Sequence, residues 1–236
     1  MTRSATAHQD DVDHLASYSI PEAAHYLLVP PTTLRSWVVG RHYPRKENRG
    51  FFKPPIEIAD REKRLLSFVN MVEIHVLSAI RREHDVPLQK VRRAIDFLIE
   101  RFDAKRPLAT HRFYTDGLDL FVSAVGNLIN VSREGQLAMR EMLTAHLRRV
   151  EWGREGTAVR LYPFTRKEAK DEPKVVVIDP RVAFGRPVLV GTGIPTAIIA
   201  ERFKAGEQPE ELASDYGRNA SEIIEAIRCE LRSEAA

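Results

Sequence analysis

Thr32, Thr33, Arg35 and Ser36 sit within a five-residue stretch. On a helix that turns Leu34, Trp37 and Val38 inward, these four fall on the outer side. Small hydroxyl side chains allow close approach to a base edge, and an arginine reaches a guanine edge or a phosphate. A cationic run follows: Arg41, Arg45, Lys46, Arg49 and Lys53, opposed by Glu47 alone. Cations at that density suit a phosphate backbone and supply affinity that does not depend on base sequence. These nine residues are the candidate DNA-binding set. The same pattern is also compatible with a plain αα-hairpin followed by a solvated basic loop.

The elements that would position them are short and well punctuated. Ser19-Ile20-Pro21-Glu22 has the spacing of a capping box, with a proline suited to a first helical turn. A short helix carrying Ala23, Ala24 and Leu27 follows, and Leu28-Val29-Pro30-Pro31 breaks it. A second short helix starts at Pro31 or Thr32 and stops at Gly40. Two such helices across a tight turn predict a helix-turn-helix. Asn48 to Gly50 is a turn signal between Tyr43 and Phe51-Phe52, so the basic run reads as a β-hairpin wing. Helices over Ser67–Glu83 and Leu88–Phe102, separated by Asp85-Val86-Pro87, complete an N-terminal unit spanning 18–106. The first carries Val69, Val72, Val76 and Ile80 at helical spacing.

Beyond this unit the pattern changes. Residues 111–164 read as a middle α+β unit. Asp116-Gly117 between alternating segments predicts a hairpin, Leu128–Val131 a strand, Gln136–Val150 an amphipathic helix and Thr157–Tyr162 a further strand. Residues 165–174 are almost wholly polar and mark a linker. Residues 175–236 open with the β-branched run Val175–Ile178. Helices follow over Thr196–Lys204, Pro209–Tyr216 and Ala220–Leu231. The fold class expected is α+β, mainly helical.

Chemistry of other kinds finds little support. The eight histidines are scattered without metal-ligand spacing, and the single cysteine, Cys229, cannot form an internal disulfide. No nucleophile elbow or catalytic carboxylate pair is evident, so no enzyme, metal or cofactor is expected. Gly191-Thr192-Gly193 lacks the following lysine of a phosphate loop and is flanked by Pro187 and Pro195, so it reads as a tight turn. No apolar run of 18 residues and no leader-like N-terminus is present among the 236 residues, which points to the cytoplasm. The net charge of +3 conceals an asymmetry: +6 over residues 21–110 and −4 over 171–236. A basic front half fits a polyanionic partner, and the acidic end fits either solubility or a basic protein partner.

Three resemblances sharpen these expectations. The order helix, turn, Thr33-Leu34-Arg35-Ser36-Trp37 helix, wing and two helices resembles the winged DNA-binding domain of MerR-type regulators. Near the C-terminus, Asp179-Pro180, Gly185-Arg186-Pro187-Val188, Gly191 through Thr196, Gly206 and Glu210-Glu211 resemble a family known as a domain of unknown function. That resemblance implies a three-helix domain with a small β-ribbon, in proteins that look like antitoxins to PIN-type toxin nucleases. Glu207-Gln208-Pro209 departs from its pattern, and a weak cap on the middle helix is expected there. Ser67-Phe68-Val69-Asn70-Met71-Val72-Glu73 and Leu88-Gln89-Lys90-Val91-Arg92 resemble the DNA-binding part of longer VapB-type antitoxins. The combined resemblance implies an antitoxin that neutralises a PIN-type ribonuclease and represses its own operator. Arg154, Arg160, Arg166 and Lys167 are then candidate toxin contacts. Two operator half-sites imply a homodimer. The alternative is a MerR-like transcriptional regulator that senses a small molecule in its middle unit.

Overall fold

The computed structural model describes residues 12–44, 49–84, 86–166 and 173–231. It is mixed and mainly helical, as the periodicity implies, and the chain divides into two compact units, 1–158 and 159–236. The stretch read from the sequence as a middle unit therefore lies, up to Ala158, within the first.

In the first unit, β1 (Tyr18–Ser19) leads into α1 (Ile20–Leu27) and α2 (Pro31–Val38). Both halves of the capping box form: the Glu22 N–H donates to Ser19 Oγ at 3.3 Å, and the Ser19 N–H donates to Glu22 Oε2 at 3.1 Å. Leu28 takes the left-handed backbone (φ 56°) and ends α1, and Pro31 opens α2 three residues beyond. Leu34, Trp37 and Val38 are buried. The wing is an antiparallel pair, β2 (Arg41–Pro44) and β3 (Arg49–Phe52), in the register Arg41↔Phe52 to Pro44↔Arg49. Gly40 joins α2 to the wing at φ +84°. A Cβ there would lie 2.3 Å from the Phe52 carbonyl oxygen, so the wing folds back as closely as it does only over a glycine. The short strand β4 (Leu65–Leu66) pairs with β1.

Four helices build the core beneath: α3 (Phe68–His84), α4 (Leu88–Phe102), α5 (Leu118–Ile129) and α6 (Arg133–Leu147). Helix α3 is not half-exposed, as a single apolar stripe would suggest. Every residue from Asn70 to Ile80 is buried, because α3 packs against α1, α6 and the short 3₁₀ turn Pro107–Ala109. Ser67, Asn70 and Glu73 are the polar pins of that helix. Asn70 Oδ1 accepts the N–H groups of Ala59 and Ser67 at 3.2 and 3.1 Å, and its amide donates to the Glu57 carbonyl and to Glu73 Oε2.

The hairpin expected at Asp116-Gly117 does not form. Phe113–Gly117 is a π-helical turn that runs straight into α5, and the strand expected at Leu128–Val131 is the end of α5, stopped by Asn130 in the left-handed backbone. Gly117 serves packing, not turning. A Cβ there would lie 2.8 Å from the Phe102 ring, so α4 and α5 approach through it. The amphipathic helix (α6) and the final strand, β6 (Ala158–Leu161), form as expected, with β5 (Val150–Trp152) between them.

The second unit pairs β7 (Val176–Val177) with β8 (Val188–Leu189) and packs α7 (Thr196–Lys204), α8 (Pro209–Tyr216) and α9 (Ala220–Glu230) around Leu189, Ile199, Leu212, Ile223 and Ala226. The cap of α8 is not weak. The Gln208 N–H donates to Glu211 Oε2 at 2.9 Å, which is the glutamate's half of a capping box, and Pro209 stands at the first helical position.

Candidate nucleic-acid interface

The structure brings Thr32, Thr33, Arg35, Ser36 and Arg41 to one open groove of about 660 Å³, together with Tyr43 and Phe52 of the wing. Thr32, Arg35 and Arg41 are exposed, and neither arginine has an ion-pair partner among the described residues. Ser36 is partly engaged, since its hydroxyl donates to the Thr33 carbonyl at 2.7 Å and keeps only its lone pairs for another donor.

The remaining cations divide. Lys53 is exposed but lines a different groove, together with Val38, Phe51 and Ile56. Arg49 is placed in β3 opposite Pro44. Arg45 and Lys46 lie outside the described residues. The cationic wing is thus seen at its two ends only, with Arg41 in the groove of Thr32 and Arg35 and Lys53 in another, beside Val38 and Ile56.

One residue has no counterpart among the contacts expected from sequence. Gln89, exposed in the first turn of α4, lines the same groove as Thr32 and Arg35. A glutamine amide pairs with both hydrogen-bonding positions of an adenine edge. The available signal is a polar residue soon after the Pro87 break, and it gains meaning only once α4 is seen to start beside α2.

Comparisons with known proteins meet this geometry. Residues 16–95 match a sequence family described as "Putative DNA-binding HTH domain". The N-terminal region is a helix-turn-helix domain. Residues 176–228 match "Protein of unknown function (DUF433)". Among curated proteins of Mycobacterium tuberculosis, one named "Putative antitoxin VapB45" is 29% identical over 227 residues, covering 89% of this chain and 92% of its own length. A second, "Uncharacterized protein Rv2308", is 27% identical over 220 residues, covering 89% and 88%. The crystal structure of Rv2018 from Mycobacterium tuberculosis shares the fold, with a TM-score of 0.66 at 24% identity over 91% of this chain and 98% of that one.

The residues that carry the second resemblance are placed differently from those of the helix-turn-helix domain. Asp179 is buried, accepts the Arg181 N–H at 2.9 Å and pairs with Arg160 at 2.9 Å. Thr192 closes its turn through the Leu189 carbonyl at 2.8 Å, and Thr196 donates to the Pro187 carbonyl at 3.1 Å. Of the candidate toxin contacts, Arg160 is held by Asp179 and Arg166 by Glu225, Arg154 is exposed, and Lys167 lies outside the described residues. The most exposed large apolar side chain among the described residues of this unit is Phe184, which is 94% exposed. It stands in a run of three left-handed residues, Ala183, Phe184 and Gly185, at φ 47°, 55° and 76°. Two non-glycine residues held there mark a strained turn that presents an aromatic ring to solvent.

Proposed function

We propose that the chain is the antitoxin of a toxin–antitoxin pair: it binds operator DNA through the helix-turn-helix domain as a homodimer, and binds and neutralises a PIN-type ribonuclease toxin in the cytoplasm. It does no chemistry itself. The observation that carries the reading is the groove in which α2 offers Thr32, Thr33 and Arg35 beside Arg41 of the wing, with both arginines lacking a carboxylate partner among the described residues. An internal helical hairpin would bury or neutralise that face. The likeness to a protein named as an antitoxin, over most of both chains, supports the second half of the reading. Among the described residues no helix is long and apolar enough to cross a membrane.

The test is a salt-titrated binding assay of the full chain against DNA from upstream of its own gene. Arg41→Ala is expected to weaken binding to all DNA and to reduce the slope of log K against log salt by about 0.9, the share of a single neutralised phosphate. Arg35→Ala is expected to cost specific binding roughly 5- to 150-fold, with a smaller loss on unrelated DNA. A slope unchanged by Arg41→Ala, together with equal loss on both DNAs for Arg35→Ala, would remove this face from the interface. Co-expression with a nuclease encoded beside it tests the other half, since rescue of growth is expected.

A further inference from the structure

The helix-turn-helix domain has a second groove, lined by other residues than the one that holds Thr32 and Arg35, with a volume of about 730 Å³. Its apolar lining comes from Val38, Ile56, Ile58, Ile95, Ile99 and Pro107. That size lies in the range of sites that enclose a small organic ligand.

The charges around it are unequal. Six cationic side chains line the groove against two carboxylates. Both carboxylates are already engaged: Glu57 holds Arg61 at 2.8 Å, and the buried Glu73 holds Arg106 at 2.7 Å. Arg92 lies near Asp96 at 3.6 Å. Lys53, Arg64 and Lys105 are exposed on the rim and have no carboxylate partner among the described residues. Arg64 is also held at φ 56°, a backbone conformation in which a glycine would be less strained.

We infer that this groove binds an amphipathic organic anion, a carboxylate, phosphate or sulfonate head on an apolar body. Unpaired cations over an apolar floor repel metal ions. An inorganic anion would leave the floor exposed, and a neutral apolar molecule would leave the cations without a counter-charge. The groove also reaches the root of the wing, where Arg92 Nη1 donates to the Lys53 carbonyl at 3.2 Å and the Ile56 N–H donates to the Trp37 carbonyl at 3.2 Å. A bound head group competes with the Lys53 carbonyl for Arg92, so occupancy loosens the wing. The site stands on its own geometry, whether or not the groove of Thr32 and Arg35 binds DNA.

The experiment uses the full chain and 8-anilinonaphthalene-1-sulfonate as fluorescent probe, with decanoate, decanol and acetate as competitors. Saturable binding of the probe is expected, displaced by decanoate and at least tenfold less well by decanol or acetate. The double variant Arg64→Glu/Lys105→Glu and the floor variant Ile99→Gln should each weaken binding at least tenfold at unchanged circular dichroism. Arg133→Ala, an exposed change elsewhere in the unit, should leave it intact. Hydrogen exchange on adding decanoate should change in residues 49–56 and in α4. Decanol displacing the probe as well as decanoate does, binding indifferent to the charge reversal, or exchange effects confined to other segments would each overturn the assignment.

Discussion

The two units use their most recognisable polar residues in opposite ways. In the first, Thr32, Arg35 and Arg41 point outward, and neither arginine has a carboxylate partner among the described residues. In the second, Asp179, Thr192 and Thr196 are turned into the fold and hold its ribbon, its tight turn and the start of α7. Motif specificity and function therefore diverge. The sharper sequence pattern belongs to the second unit because a buried hydrogen-bonding geometry tolerates few side chains. A surface that meets another molecule is written in ordinary residues, and Phe184 carries no pattern beyond being an aromatic between Ala183 and Gly185.

The strongest way to break that contrast is Asp179→Ala. The change removes the acceptor of the Arg181 N–H and the carboxylate between Arg160 and Arg181. Because both arginines reach solvent, the expected cost is about 2 kcal/mol, less than a fully buried pair would show. For a unit of this size that lowers its melting temperature by roughly 10 °C. Arg35→Ala should leave melting unchanged and act only on DNA. If Asp179→Ala melts like the parent but loses partner binding, the motif is a contact surface and the contrast fails.

Phe184→Gly sharpens the same point from the other side. Glycine relieves the left-handed backbone at no loss of packing, since the ring touches little of its own unit. Stability is expected to hold or to rise by about 1 kcal/mol. Affinity for the proposed toxin, measured by calorimetry, is expected to fall at least tenfold if the exposed ring seats in it. A less stable variant would show that the ring packs on its own unit after all, and one that binds as the parent does would show that the ring has no part in binding.

The sequence discloses what is settled locally and hides what is settled by distant packing. The capping box at Ser19 and Glu22, the Pro30-Pro31 break and the inward set Leu34, Trp37 and Val38 involve neighbours in the chain, and the first helices form as the spacing predicts. Asp116-Gly117 has the local chemistry of a turn, but the glycine answers to Phe102 and Phe113, the former on another helix. The periodicity of α3 shows one apolar face, whereas the structure surrounds it, and Asn70 and Glu73 are tolerated inside because they bond one another and Arg106. The candidate site divides likewise. The outward face of α2 follows from its own spacing, but the proximity of Gln89 and the separation of Arg41 from Lys53 across the wing require the folded chain.

The smallest expected effect sets two buried glutamates against each other. Burial pushes the Glu73 carboxyl above its ordinary range, and the Arg106 guanidinium and Asn70 amide only partly offset this. Burial acts on Glu225 in the same direction, but hydrogen bonds from Arg166 and Thr165, with Arg228 behind them, outweigh it and hold that carboxyl below its ordinary range. The signs follow from linkage. A carboxyl whose folded pKa is depressed stabilises the fold above its unfolded pKa, and that contribution is lost as pH falls through the folded value. A carboxyl whose folded pKa is raised opposes folding while ionised, and the opposition is relieved as pH falls through the folded value. Mild acidification from neutrality should therefore favour the first unit through Glu73, while more acidic conditions, below the ordinary carboxylate range, should weaken the second through Glu225. Protection factors from hydrogen exchange, read separately in α3 and α9, are expected to move in opposite directions. Glu73→Gln should flatten the first trend and Glu225→Gln the second. Parallel trends in the two helices would mean that the ion pairs around these carboxyls do not set their ionisation, and that the polar interiors of the two units are built alike.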